Sequence, residues 1–562
     1  MMRVINLFTL LFICRCQAWK LSYPSSQNLR FQRPRVVKKA SSTPVKHSFT
    51  DINMSKDKIG RGKSWFIQSK RTILSEEKKK KTTLIESTPD TSLSSQSSSE
   101  RTTINLVKTI VGAGVLTLPC GMARLSENGV LPTEIIVIST TLLVVFGGLA
   151  AFGFSLVGSI CARTDAKTYS EAWGRTVSED STWLPSIIAV SLCFTGSVKC
   201  LTTLGDVLSD ILAYGIHVPV DSIPRDPLLL TTALTVLLPL CLLPSLSPLA
   251  AGSLLGITGV VVSALAMIVR FTDGTYAPGG LFYDVLTWKP VFNTFVSPSS
   301  VVVDSTVNAA AASFFVNLLD NEYIKHQPSL ANIAVFLALC SDAYLAHFSA
   351  PSLFNEVKPR RGGNASDLTP TENKLSVFNE AVERAFLISV VLFILIAISG
   401  FATFGSNSQP IILNNYASSD GLAAISRIGL GACVLFEFPL LERPFRKTLL
   451  KDVLNRPDLT TSPIVTVFSV ALIIFTSLSG IPIDKLSAIS GGIGGSFLIY
   501  IAPAIMSLRA LDVVKKNDSP RKLLDDITDT AEKVEYVTLG GIGVVLSILA
   551  SSKIIGEILL TH

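Results

Sequence analysis

Runs of about 20 mainly apolar residues recur from Ile104 to Ile558, and that is the length a helix needs to cross about 30 Å of hydrocarbon. Eleven such runs can be read: Asn105 to Leu125, Glu134 to Ile160, Leu184 to Leu204, Leu228 to Ser247, Leu249 to Val269, Leu330 to Pro351, Phe386 to Phe404, Gly421 to Leu441, Pro463 to Ile481, Leu486 to Leu508 and Val537 to Ile558. Lipid offers no partner to backbone N–H and C=O groups, so each run must satisfy its own as a helix. The expected fold is therefore an all-α polytopic membrane protein of about eleven spans. Composition agrees: 48% of the 562 residues are hydrophobic and 16% are charged, against about 25% charged in a typical soluble chain. The Ala-rich stretch from Ser305 to Leu319 is too short to span and is expected to be interfacial or re-entrant.

Charge orders the spans. Nineteen Lys and Arg residues, among them Arg163, Arg175, Lys358, Arg446, Lys451 and Lys516, fall in one set of alternate loops, and four, Arg225, Lys289, Lys325 and Lys485, in the other. The richer set belongs on the cytoplasmic-type side with the basic head. The first 100 residues hold 19 basic and 7 acidic side chains. The remaining body is slightly acidic and lacks the clustered Lys and Arg that neutralising phosphates requires, which excludes nucleic acid as a partner.

The head reads as an address followed by a tether. Residues 1–18 carry an early Arg3, an apolar run to Cys14 and a small-residue stop at Ala18, a secretory leader too short to span. Residues 19–50 are basic, Ser-rich and free of Asp and Glu, the composition of an organelle transit segment. Together they resemble the two-part presequences of plastid proteins in algae with secondary plastids; an uncleaved tail on a vacuolar or plasma membrane protein is the alternative. Residues 51–102 are basic and then Ser/Thr-rich, with too little apolar surface to fold. The membrane domain is expected over 103–558. Nine cysteines show neither metal spacing nor a disulfide framework.

Two spans are interrupted. The first contains Gly112, Gly114 and Pro119, and the sixth contains Ser341, Asp342, Tyr344, His347 and Pro351. Such interruptions are tolerated at membrane depth only where protein or a water-filled cavity lines them, and the N–H groups opening a half-helix suit an anionic group. Five spans separate the start of one interrupted span from the start of the other. Odd spacing inverts the second unit, as in inverted-repeat secondary transporters.

These residues resemble the amino acid/auxin permease family. Asn105 to Pro119 looks like its first helix, and Ala346-His347 with Pro351 and Glu356 its sixth. Gly400 to Gly405 with Ile412 to Tyr416 resembles the end of its seventh, Arg427, Pro439 and Pro444-Phe445-Arg446 its eighth, Gly205-Asp206 its third, and Gly491 to Pro503 its tenth. The resemblance implies a leucine-transporter-type arrangement of five plus five inverted helices with an eleventh added, moving amino acids by alternating access in symport with H⁺, or alternatively Na⁺. It further implies substrate binding at Thr109, at Gly112, Ala113 and Gly114 through the α-carboxylate, and at Ser341 and Asp342 through the amino group, with Tyr344 as a candidate lid.

One departure from the sodium-coupled branch bears on coupling. Where that branch carries small hydroxyl residues, this chain has Leu435-Phe436-Glu437-Phe438-Pro439. An ionisable group inside a span costs about 3 kcal/mol and is a functional candidate by default. Glu437 is thus the foremost proton-coupling candidate, followed by Asn105, His347, Lys108 and Lys199, whereas Asp206 and Arg427 lie near span ends and are expected to snorkel. No catalytic His, Ser or Asp motif appears, so an enzyme is not expected, nor a cofactor or a metal. The partners expected are a small amino acid and the lipid bilayer. A transporter-like sensor that signals through its head is the rival reading.

Overall fold

The computed structural model describes residues 98–126, 130–243, 250–283, 328–360, 369–515 and 523–560. The expected leader, transit-like segment, nearly all of the head and the Ser305 to Leu319 piece lie outside these residues. The described part is all helical, without a strand. In chain order the main helices are α1 (Ser98–Ile110), α2 (Leu118–Leu125), α3 (Pro132–Thr164), α4 (Tyr169–Thr176), α5 (Trp183–Ile216), α6 (Arg225–Leu242), α7 (Ala250–Thr272), α8 (Leu330–Ala343), α9 (Ala350–Glu356), α10 (Pro370–Phe404), α11 (Gly421–Thr448), α12 (Pro463–Ser477), α13 (Ile483–Leu511) and α14 (Leu523–Leu560).

Eight helical segments are long and apolar enough to cross a membrane, and the α1–α2 pair, bent by 47°, makes a ninth among the described residues. The fifth and ninth expected spans are helical too. Their apolar parts, Gly256–Thr272 and Pro463–Ser477, fall short of that length. At 1.5 Å per residue the 15 residues of α12 cover only about 22 Å. On α12, Ile464, Phe468 and Phe475 are 81%, 72% and 75% exposed along one face. Such an apolar face suits contact with lipid tails.

Several helices outrun their apolar stretches. α10 starts 16 residues before Phe386, because Thr369 and Glu372 form a capping box and Pro370 takes the first helical position. A helix ends where its backbone bonds end, so hydropathy alone places its start too late. α13 has wide turns over Ser490–Gly495 and Phe497–Ile501. A Cβ on Gly491 would lie 1.9 Å from the Ala338 carbonyl oxygen, so α13 reaches this close to α8 only with glycine there. Around the core, α5 and α7 each pack on α11, and α10 packs on α1, α2 and α3.

Candidate functional site

The first interruption is real and local. α1 stops at Ile110, Val111 and Gly112 leave the helix, and a 3₁₀ turn from Ala113 to Thr117 leads into α2. Gly112 sits at φ −123° and ψ −171°, extended backbone open to any residue. Pro119 lies in the first turn of α2, where the missing N–H costs nothing. The first bond across the break runs from the Val115 N–H to the Gly112 carbonyl at 3.4 Å. The N–H groups of Gly112, Ala113 and Gly114 come before it, as the donors of a helix N-terminus do.

The second interruption faces the first. α8 ends at Ala343, the chain turns through Tyr344 to Ala346, and a 3₁₀ turn of His347–Ser349 leads into α9. Two of the last carbonyls of α8 are taken up in this turn, Cys340 by the Tyr344 N–H at 2.9 Å and Asp342 by the Leu345 N–H at 3.4 Å.

Two carboxylates flank the break. A Cβ on Gly112 would lie 3.4 Å from Glu437 Oε1 of α11, and one on Gly114 would lie 3.6 Å from Asp342 Oδ2 of α8. From α5, Lys199 Nζ donates to both Asp342 oxygens, at 2.8 and 2.7 Å, and the Asp342 side chain is 4% exposed. Lys199, Asp342 and the Cys200 thiol are the groups whose charge or polarity acts on Glu437. Its Oε2 is sealed from solvent without a hydrogen-bond partner.

All of this lines one cavity of about 1190 Å³. Its walls carry Phe436, Leu440 and Leu441 of α11, Leu345 and Phe348 beyond α8, and Leu192 of α5. At one end it is bordered by Glu171, Arg175, Glu356, Lys451 and Asp452, which lie on the side of the basic loops. The opposite side is fastened. Arg124 of α2 pairs with Asp484 of α13 and, at 3.0 Å, with Glu557 of α14. Arg270 of α7 pairs with Asp420 ahead of α11 at 2.7 Å.

The structure brings Asn105, Lys108, Thr109, Gly112, Ala113, Gly114, Lys199, Asp342 and Glu437 to the cavity wall and leaves three expected residues elsewhere. Ser341 is fully buried on another face of α8, donating to the Leu337 carbonyl at 2.9 Å and lying 3.2 Å from the Tyr500 hydroxyl. Tyr344, expected as a lid, is fully buried away from the cavity wall, donates to the Leu143 carbonyl at 3.1 Å and packs on Phe393. His347 is sealed between α3 and α10, with Nε2 2.9 Å from the Ala150 carbonyl oxygen and its ring against Phe154 and Phe386. One helical turn carries 100° per residue, so neighbours of Asp342 necessarily face away from it. Asn105 lies two turns from the break and is exposed.

Arg427 does not snorkel. It is 1% exposed, its Nε 2.8 Å from Asp210, and it donates to the carbonyls of Leu413, Tyr416 and Ala417. Asp206 pairs with Arg225. Sequence reasoning missed Cys200 as the neighbour of Glu437 and the latch residues Arg124 and Asp484. A charge on each of two distant span ends was the available signal, but it names no partner. Among the described residues no group of His, Cys, Asp and Glu is placed to hold a metal ion.

The Saccharomyces cerevisiae vacuolar amino acid transporter 7 is 24% identical over 359 residues, 62% of this chain and 58% of that protein. Vacuolar amino acid transporter 5 of Schizosaccharomyces pombe is 23% identical over 410 residues, 71% of this chain and 81% of its own. Amino acid transporter AVT6E of Arabidopsis thaliana is 22% identical over 365 residues, 61% of each. The chain thus spans less than two thirds of the first and third relatives. A solved Eremococcus coleocola manganese transporter variant covers 79% of this chain and 94% of its own at 13% identity and a TM-score of 0.40. The family described as transmembrane amino acid transporter protein matches residues 95–302 and 369–549, with α8 and α9 between the matched segments. With well over half of its length matched in this way, the chain belongs to the transmembrane amino acid transporter family.

Proposed function

We propose that this protein is a secondary active transporter of amino acids, driven by a proton gradient and working by alternating access. The observation that carries the reading is the helix break at Gly112–Gly114 between two carboxylates, Glu437 and Asp342, inside one cavity. Backbone N–H groups at a half-helix start suit an α-carboxylate, and Asp342 stands where the attached ammonium falls. Groups common to all α-amino acids are thereby met by fixed features. The apolar wall of Phe436, Leu440, Leu441 and Leu192 is left to select the side chain.

Glu437 is the coupling group in this reading. It is an ionisable group inside a span, beside the break, with one oxygen buried and without a hydrogen-bond partner, which makes it the functional candidate for carrying the coupling charge. The cavity meets the basic-loop side and the opposite side is closed by ion pairs, so the structure corresponds to the state open toward the basic loops. The two broken spans favour the inverted five-plus-five arrangement with an eleventh helix, which supplies the two halves that rock against each other. The destination follows from the head: an organelle membrane reached through the secretory route, the plastid envelope in the first instance, with the vacuolar relatives giving the alternative.

The test is uptake of a labelled amino acid panel into proteoliposomes under imposed proton or sodium gradients. A proton gradient should concentrate substrate and a sodium gradient should not. Glu437→Gln should keep amino acid exchange and lose accumulation against a gradient at least tenfold. Accumulation by Glu437→Gln under a proton gradient, or a sodium requirement in the wild type, would overturn the coupling assignment.

A further inference from the structure

The Lys199–Asp342 pair is unusual for a binding site, because it fills with an internal cation the acceptor that a substrate ammonium needs. Both Asp342 oxygens are taken, at 2.7 and 2.8 Å. Asp342 Oδ2 lies 3.6 Å from the Cβ position of Gly114, beside the donors of the break. In an α-amino acid the ammonium is two bonds from the carboxylate carbon, so a substrate whose carboxylate meets those donors puts its ammonium at Asp342.

Lys199 must then give way, and a second acceptor is in reach of its influence. Glu437 has a sealed, unpartnered oxygen, and Lys199 is the cation that acts on it. The groups facing Glu437 can be enumerated among the described residues. α5 presents Lys199 and Cys200, and α8 presents Asp342. The break presents the Gly112 backbone, with Lys108 one turn away on the cavity wall. Cys433 stands one turn earlier on α11 itself, and α7 brings only Gly256 and Ile257 to the wall. Lys199 is a point charge on a flexible four-carbon stem, suited to changing partners as Arg is not.

We propose that Lys199 is a tethered counter-cation that passes from Asp342 to Glu437 when the substrate ammonium takes Asp342, so that amino acid and proton bind in competition and are exchanged across the membrane. The inference rests on the amino acid transport reading above and fixes the sign of its coupling. In the empty site Lys199 neutralises Asp342 and Glu437 holds a proton. In the loaded site the substrate carboxylate meets the N–H groups, its ammonium meets Asp342, Lys199 meets the Glu437 carboxylate, and the Glu437 proton has left to cavity water. Every charge then has a partner in both forms. Because binding couplings are reciprocal, a proton that weakens substrate binding is weakened equally by substrate. The expected coupling is counter-transport in place of symport.

The experiment uses the full chain in proteoliposomes with an internal pH dye and a labelled amino acid panel, with no imposed gradient. Substrate entry should be accompanied by proton exit and a rise in internal pH. Substrate affinity measured on the purified protein should fall about tenfold per pH unit once Glu437 is protonated. Lys199→Met should lose the proton exit and the pH dependence of substrate affinity, and Lys199→Arg, which pairs with Asp342 but changes partners less readily, should keep only part of them. Proton entry together with substrate, an affinity independent of pH, or an undiminished proton exit in Lys199→Met overturns the handover while leaving amino acid transport standing. Absence of binding and flux for every amino acid in the wild type overturns the transport reading and the handover with it. The wild-type proton direction decides the matter even if the variants fail to fold.

Discussion

At the residue scale, the glycines of the break act by leaving space. Gly112 has ordinary extended dihedrals, and a Cβ on Gly114 would make only a normal 3.6 Å contact with Asp342. A larger residue at position 114 is therefore compatible with folding but projects methyl groups into the space beside the Asp342 carboxylate. Gly114→Val is expected to reach its membrane in near-normal amount and to lose uptake by at least a hundredfold. Wild-type-like uptake by that variant would move the carboxylate site elsewhere. The residue types at this break were legible in the sequence, and so was Glu437 as a carboxyl inside a span. That Gly112 faces Glu437 while Gly114 faces Asp342 was not legible, because the pairing joins α11 and α8 to a turn more than 200 residues earlier.

At the element scale, two devices hold the helices in this arrangement. Gly491 lets α13 lie against the α8 backbone. Arg124 ties α2 to α13 and α14 through Asp484 and Glu557, with Asp484 only 6% exposed. Removing Arg124 leaves two acidic groups facing each other at the fastened end, one of them nearly buried. Arg124→Ala is expected to favour opening on that side by about 1–3 kcal/mol, a population shift of roughly 5- to 150-fold. Faster release of loaded substrate to the side opposite the basic loops would show it. Unchanged release would mean the latch is purely structural. The broken spans were legible at this scale because Gly and Pro punctuate apolar runs. The boundaries were less so: α10 continues through Asn373 and Glu380 on backbone bonds that hydropathy does not see.

At the scale of the whole molecule, the cavity meets the side carrying the basic loops. Cys193 lies on its wall, partly exposed, while Cys200 and Cys433 are buried. A membrane-impermeant thiol reagent should therefore label Cys193 from the basic-loop side faster than from the other, by about tenfold or more, and Cys193→Ser should remove that difference. Equal labelling from both sides would contradict the open direction. A fluorescent fusion after residue 60 should mark a membrane-bounded organelle, and deleting residues 1–18 should block it from the secretory route. Unchanged location after the deletion would reduce the head to a tail. The sequence by itself determined the all-helical membrane fold, because burying backbone polar groups in lipid acts on local stretches of chain, and its motifs carried the resemblance to the family. Which polar residues share a cavity was decided only by the tertiary structure. Ser341 and Asp342 are neighbours in the chain, yet helical rotation turns one onto Tyr500 of α13 and the other onto Lys199 of α5, and only the placement of those helices beside α8 decides that Asp342 lines the cavity while Ser341 is buried.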